Sequence, residues 1–225
     1  VPVIFGGDDL SAEAVIRKEA EEKSSPFHRV NHENIRINSA DLSGTAFGYG
    51  SYENIKISLL GLYQPRNAAL VLSALDLLKA GGLVIPERAI YDGLMKARWS
   101  ARFEIISESP RIIFDGAHNA EGIRAATDSI RHYFGEERVY VITGVLRDKE
   151  YERIAGDISK VAEKAFTITP DNPRALDGKR YAEVLSSYGT YALPCLSIPE
   201  ALKVARAEAL SEGKSIVILG SLYTY

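Results

Sequence analysis

The sequence predicts an α/β protein whose C-terminal part is a mostly parallel, Rossmann-like sheet with helices on both faces, preceded by a smaller unit. Three observations predict it. From about Phe103 onward, short apolar runs alternate with longer stretches of helical periodicity, the pattern of parallel strands joined by helical crossovers. Between Leu59 and Ala97 the helical period prevails without strands, with Ala68, Val71, Leu72, Leu75 and Leu78 at helical spacing. Between His28 and Ser58 the runs are short and alternate apolar with polar residues, as half-buried antiparallel strands do.

Taken in order, Pro2 to Phe5 reads as a strand that begins abruptly, followed by Gly6-Gly7. A polar helix over Ser11 to Lys23 has only Ala14, Ile16 and Ala20 as apolar positions. Short strands are expected at Ile35–Ile37, Ala46–Tyr49 and Ile55–Ile57. The helix through Leu78 is stopped by Gly81-Gly82, and Pro86 opens a second that runs towards Met95. Thereafter strands are expected at Arg111–Phe114, Arg138–Thr143, Ala165–Thr169, Tyr191–Cys195 and Ser215–Leu219. Helices are expected at Ala120–Tyr133, Tyr151–Ala162, Lys179–Ser187 and Pro199–Leu210. The last carries a capping box, Ser197 with Glu200 three residues on. The boundary between the two parts is expected near Lys96 to Ala101, giving units over 1–97 and 98–225.

Composition narrows the function. The 225 residues carry a formal charge of -3, with 46% hydrophobic and 25% charged residues. That is an ordinary globular balance, without the basic field of a general nucleic-acid binder. No apolar run approaches a membrane span, and the short apolar N-terminus has no basic flank, so it is not a signal peptide. A cytoplasmic protein fits. Cys195 is the only cysteine, which leaves no internal disulfide and no thiolate metal cluster. Its expected state is a small buried hydrophobe. His28, His32, His118 and His132 are not spaced as a metal set, and P-loop, HExxH and GxGxxG patterns are absent.

The strongest local signal is Arg111-Ile112-Ile113-Phe114-Asp115-Gly116-Ala117-His118-Asn119. An apolar strand ends in a carboxylate, a flexible glycine and an imidazole, and a helix follows. Ligands of open α/β sheets bind at the carboxyl ends of strands, and free N–H groups at a helix start favour anions. Asp115 can accept from ribose hydroxyls, and His118 can contact a phosphate or a carboxylate. The alternative is that Asp115 and Asn119 only cap the helix and His118 is a turn residue. Gly144, leading to Arg147-Asp148-Lys149, and Gly220-Ser221 follow two other strands and fall on the same edge. Asn67 opens the Ala/Leu-rich helix after Gln64-Pro65-Arg66, where a helix-start role suffices. Arg102, at the boundary, is either a solvated linker arginine or a phosphate clamp.

In this order the pieces resemble a known family. Leu59-Leu60-Gly61 with Gln64 and Asn67-Ala68-Ala69 come first, then Trp99 and Arg102-Phe103-Glu104. Asp115-Gly116-Ala117-His118-Asn119, Asp148-Lys149 and Gly220-Ser221-Leu222 follow. The set is similar to the folylpolyglutamate synthase/dihydrofolate synthase family of the Mur ligase superfamily, across essentially the whole chain. The resemblance implies that residues 1–97 belong to an ATP-binding central domain and 98–225 to a Mur-ligase-type C-terminal domain. It implies an ATP- and Mg2+-dependent ligase that joins L-glutamate to folate or dihydropteroate through an acyl phosphate. By motif, Asn67 would contact adenine, Arg102 the phosphates and Asp115 the nucleotide. His118, as the catalytic residue, and Ser221 would lie near the incoming glutamate and the acyl phosphate. The family's P-loop, its metal ligands and a modified lysine precede the position matched by Val1-Pro2-Val3. The chain is therefore expected to be inactive alone. Smaller departures are Tyr63 for a common histidine, Ser100-Ala101 for Pro-Gly, Ala120 for proline and Glu150 for Asp. The competing readings are another Mur-type amino-acid ligase and a non-catalytic α/β binding module.

Overall fold

A computed structural model describes residues 1–220, and these divide into two compact units, Val1–Arg98 and Trp99 onward.

In the first unit, β1 (Val3–Phe5) leads through α1 (Leu10–Glu22) to β2 (Phe27–Arg29), which lies parallel to β1 with Ile4 opposite His28. Asp9 caps α1 by accepting from the Ser11 N–H at 2.8 Å. Sequence pattern missed β2, because Phe27-His28-Arg29 is too short and too polar to show a strand period. Strands β3 (Ile35–Asp41), β4 (Gly44–Tyr49) and β5 (Tyr52–Ile57) form the antiparallel sheet that the alternation predicts. Helices α2 (Gln64–Ala80) and α3 (Glu87–Lys96) follow. Pro65 occupies the first turn of α2, where a missing N–H is harmless. The core gathers Val30, Phe47, Ile55, Ala69, Leu72 and Ile90. Two tyrosines of the antiparallel sheet bond to α2: Tyr49 Oη lies 3.0 Å from Ser73 Oγ, and Tyr52 Oη donates to Asp76 at 2.5 Å.

The second unit runs β6 (Glu104–Glu108), β7 (Arg111–Phe114), α4 (Ala120–Phe134), β8 (Val139–Thr143), α5 (Tyr151–Ser159) and β9 (Ala162–Thr167). It ends with α6 (Gly178–Ser187), β10 (Tyr191–Pro194), α7 (Ile198–Glu212) and β11 (Ile216–Leu219). The sheet order is β10-β9-β8-β11-β7-β6, parallel throughout except for β6, which pairs antiparallel with β7 at one edge. This is the mostly parallel α/β sheet expected. The edge strand β6 was not foreseen, since its partly exposed Glu104-Ile105-Ile106-Ser107-Glu108 has a weak pattern. Helix α5 stops at Ser159 rather than Ala162. Ala162 is already paired with Val139, and strand pairing outweighs the extra helical turn.

The central strands β8 and β11 are buried at every position, as a parallel sheet covered on both faces requires. Ala201, Ala205 and Ala209 of α7 pack among Ile112, Tyr140, Phe166 and Ile216 on one face. The layer α4–α5–α6 covers the other, where Ile113, Val141 and Val217 point by alternation. Ser197 Oγ accepts from Glu200 N–H at 3.3 Å, while the Glu200 carboxylate reaches Leu196 N–H rather than Ser197, a displaced form of the capping box.

Candidate active site

Strands β7, β8, β9 and β11 are parallel, so their carboxyl ends share one edge, which carries the turn after β7 and the loops after β8 and β9. Asp115 follows β7 and is only 3% exposed. A buried carboxylate needs donors, and the main chain supplies them. Asp115 Oδ2 accepts from Phe103 N–H at 2.9 Å and Oδ1 from Ala117 N–H at 2.8 Å. Asp115 therefore does not cap α4. It ties the start of β6 to the turn after β7. Ala101 and Phe103 hold left-handed backbone angles (φ 60° and 49°), which wrap the segment around the carboxylate.

The turn is fixed on all sides. Asp115 N–H donates to Ile218 O at 2.9 Å, Gly116 N–H to Ala101 O at 2.8 Å, and Gly220 N–H to Ala117 O at 2.9 Å. Arg102 sits beside it, with Nη1 donating to the same Ala101 carbonyl at 3.1 Å. His118 is exposed, and its Nδ1–H donates to Gly116 O at 2.9 Å, which leaves Nε2 as the ring's other nitrogen for a ligand. Asn119 caps α4 through Gly122 N–H at 2.8 Å. Asp115, His118 and Arg102 are thus brought together at one edge. Gly220 ends β11 at the same edge; Ser221, which follows it, lies outside the described residues.

A neighbouring feature escaped sequence reasoning. The loops after β8 and β9 pair with each other through an antiparallel bridge between Leu146 and Ala175. Arg147 N–H donates to Arg174 O at 2.8 Å and Leu176 N–H to Val145 O at 2.9 Å. Arg147 Nη2 bonds Pro173 O at 2.7 Å, and Arg174 Nη1 bonds Asp148 Oδ2 at 2.7 Å. Arg147, Lys149 and Arg174 put positive charge on this edge. Arg174 lay in Asp171-Asn172-Pro173-Arg174, a stretch that reads only as a connection. Its one signal was an arginine directly after Pro173, in the connection that follows β9.

Asn67 stands apart, on the exposed side of the first turn of α2 in the other unit, where its Nδ2 donates to Gln64 Oε1 at 3.0 Å. Next to it, Arg66 Nη2 pairs with Asp8 at 2.5 Å, and that guanidinium holds the Asp8 carboxyl below its ordinary value. His28 lies in β2 and His32 follows it, and His32 Nε2 bonds Gly6 O at 2.8 Å. Among the described residues no three His, Cys, Asp or Glu side chains are grouped to hold a metal ion. No helix among them is long and apolar enough to cross a membrane.

Comparison with known proteins supplies a second line of argument. A family model described as "Mur ligase, glutamate ligase domain" matches residues 101–222. The dihydrofolate synthase/folylpolyglutamate synthase of Bacillus subtilis is 32% identical over 181 residues, which are 78% of this chain and 42% of that protein. The Escherichia coli protein of the same name is 30% identical over 224 residues, 99% of this chain and 50% of its own. Among solved structures, Escherichia coli FolC in complex with DHPP and ADP superimposes with a TM-score of 0.82 at 30% identity, covering 99% of this chain and 51% of that one. Mycobacterium tuberculosis folylpolyglutamate synthase, complexed with ADP and AMPPCP, gives a TM-score of 0.87 at 22% identity, over 98% and 52%. That last likeness is one of fold. The chain spans about half the length of the relatives it matches.

Proposed function

This chain belongs to the Mur ligase family by its glutamate ligase domain, and on that premise we propose that it is part of an ATP-dependent ligase joining L-glutamate to folate or dihydropteroate. The observation that carries the reading is the Asp115–His118 turn. It is held on every side by main-chain bonds at the carboxyl edge of a parallel sheet, beside Arg102 and the paired cationic loops. Both substrates and ATP are anionic, and an edge of helix N–H groups, imidazole and guanidinium is the chemistry that receives phosphates and carboxylates.

ATP, when bound, supplies the phosphoryl group: a carboxylate oxygen of the pterin substrate takes the γ-phosphorus and ADP leaves. The glutamate amine then attacks the activated carbonyl, inorganic phosphate leaves, and the amine loses a proton. What this chain contributes is placement and charge. Residues 98–225 act as the Mur-ligase-type C-terminal domain and residues 1–97 as part of the ATP-binding central domain. Asn67 contacts adenine, and Arg102 neutralises phosphate oxygens. Asp115 serves the nucleotide indirectly, by holding the turn, as well as by any direct contact. His118 Nε2 meets the incoming glutamate or the acyl phosphate, with Ser221 as its partner in that role. Mg2+ fits the phosphate chemistry, although the described residues offer it no ligand set. The cytoplasm, where folates and ATP meet, is the compartment this implies.

The test is glutamate incorporation by the full-length protein, with dihydropteroate and tetrahydrofolate compared as acceptors. Arg102→Ala is expected to lower kcat/KM by about 100-fold, the scale of losing one preorganised charge partner. His118→Ala should lower kcat with little change in the ATP KM. Turnover with a different amino acid and no response to glutamate would sink the reading, in favour of another Mur-type ligase.

A further inference from the structure

A groove that none of the roles above uses follows the seam between α4 and α5. It has a volume of about 560 Å³ and is lined by Arg124, Asp128 and Arg131 of α4 and by Arg153, Asp157 and Lys160 at α5. The two helices repeat one pattern: a cation, a carboxylate four residues on, and a second cation three residues further. Residues at these spacings share one helix stripe, so each helix presents a row reading positive, negative, positive. Both helices leave the carboxyl ends of parallel strands and pack side by side, so the two rows run in the same direction.

These charges are largely left open to a ligand. Among the described residues, the Arg124 and Arg131 guanidiniums and the Asp128 carboxylate form no ion pair. Arg153 pairs with Glu150 at 3.3 Å and Lys160 with Asp157 at 2.6 Å, and both cations are more than half exposed. Exposed pairs of this kind hold little and yield readily to a competing partner. One wall is apolar: the Tyr188 ring lies against Gly156, where a Cβ would come within 3.3 Å of it. The end bearing Arg124 and Arg153 is the one nearest the candidate site, since α4 starts at the Asn119 cap after His118 and α5 starts after Lys149. At the far end, Arg131 and Lys160 also line an adjoining hollow where Glu136 and Glu137 restore negative charge.

We propose that this groove binds an oligo-γ-glutamate chain, the tail of an elongated folate, an assignment that rests on the function proposed above. Such a tail carries one carboxylate per residue and one amide N–H between successive carboxylates. The carboxylates meet the guanidiniums and the ammonium, the N–H groups meet Asp128 and Asp157, and the methylenes lie on the Tyr188 ring. From Arg124 to Arg131 is about 10 Å of helix. An extended γ-linked chain advances roughly 6 Å per residue, because two more bonds separate its amides than in an α-linked chain. About two residues therefore reach from the first pair of cations to the second. Polyphosphate would satisfy the cations, but it offers only acceptors and is repelled by both carboxylates.

The test is an amide NMR titration of the 225-residue chain at low salt with tetra-γ-glutamate, beside α-linked tetraglutamate and tripolyphosphate. Shifts are expected along residues 124–131 and 153–160, with the γ-linked chain binding about fivefold more tightly than either control. Arg131→Gln combined with Lys160→Gln should weaken that binding about tenfold. Asp128→Asn should tighten tripolyphosphate and leave tetra-γ-glutamate no tighter. Shifts absent from the groove overturn the proposal. So does equal binding of the α-linked chain or of tripolyphosphate, which would make the groove a general anion site. If the double variant does not fold, Arg131→Gln decides alone, since that exposed side chain has no ion pair to lose. The titration needs neither ATP nor turnover, so it can fail while glutamate ligation by the full-length protein is upheld, and the reverse.

Discussion

The two units contain one parallel arrangement each and treat it differently. In the second, β8 and β11 lie in the middle of six strands and are buried along their whole length. In the first, β1 and β2 are a pair of three-residue strands whose side chains are half-buried or exposed. Parallel strands are ordinarily stable only when covered on both faces. The second unit meets that condition from its own helices. The first draws its core from elsewhere, from the antiparallel β3–β5 sheet packed on α2 and α3. The lesson is that one unit is organised around its parallel sheet and the other merely carries one.

Separating the units tests this most severely. Residues 99–225 expressed alone are expected to unfold in one cooperative urea transition. Residues 1–98 alone should show a shallower transition and, through the open edges of β1 and β2, concentration-dependent light scattering. A cooperative, strictly monomeric first unit would break the comparison.

Single truncations come next. Phe166→Ala, in the second core, should cost about 3–5 kcal/mol by urea denaturation. Phe5→Ala on half-buried β1 should cost about 1–2 kcal/mol, because less apolar area leaves water there. Equal losses would erase the distinction. Asp115→Ala should cost at least as much as Phe5→Ala. It leaves the N–H groups of Phe103 and Ala117 without their acceptor, at about 1–3 kcal/mol each if they stay buried. Asp115→Asn keeps one carbonyl acceptor and is expected to lose less.

The smallest effect concerns the far side of the sheet, where Lys164 bonds Glu208 at 2.8 Å and Glu212 at 3.1 Å, and the Tyr140 hydroxyl donates to Glu212. The Tyr140 hydroxyl and Lys164 hold the Glu212 carboxyl below its ordinary 4.5, so its contribution is present above that value and fades as pH falls through the lower folded one. Glu208 above all, with Tyr140 and Glu212, raises Lys164 above 10.5, so its share is present below that pH and is lost only in stronger base. Lys164→Met should flatten the acid limb of an unfolding-midpoint-versus-pH curve. An unchanged limb would show that α7 is anchored by its alanine stripe alone.

The same contrast explains what could be read from sequence. Buried parallel strands announce themselves as apolar runs, so Ile112-Ile113-Phe114 and Ile216-Val217-Ile218-Leu219 were plain, and with them the edge bearing Asp115 and Gly220. Strands that bury little do not, which hid β2 and β6. In the site, the residue types of the Asp115–His118 turn were visible. That the Asp115 carboxylate would be occupied by Phe103 and Ala117 N–H groups was not, because it depends on the left-handed angles at Ala101 and Phe103. Arg174 was missed because loop-to-loop pairing has no sequence period at all.

The position of β11 bears on the order in which the protein comes together. It is the last strand of the described chain, yet it inserts between β7 and β8, and it supplies Ile218 O and Gly220 N–H to the turn after β7. Those two bonds close a loop across most of the second unit, so they are expected to form after the local β6–β7 hairpin. During synthesis, a ribosome-bound chain can therefore display Asp115, Gly116, Ala117 and His118 in full and still have no site. Until β11 slots into the middle of the sheet, the turn is a sequence awaiting its geometry.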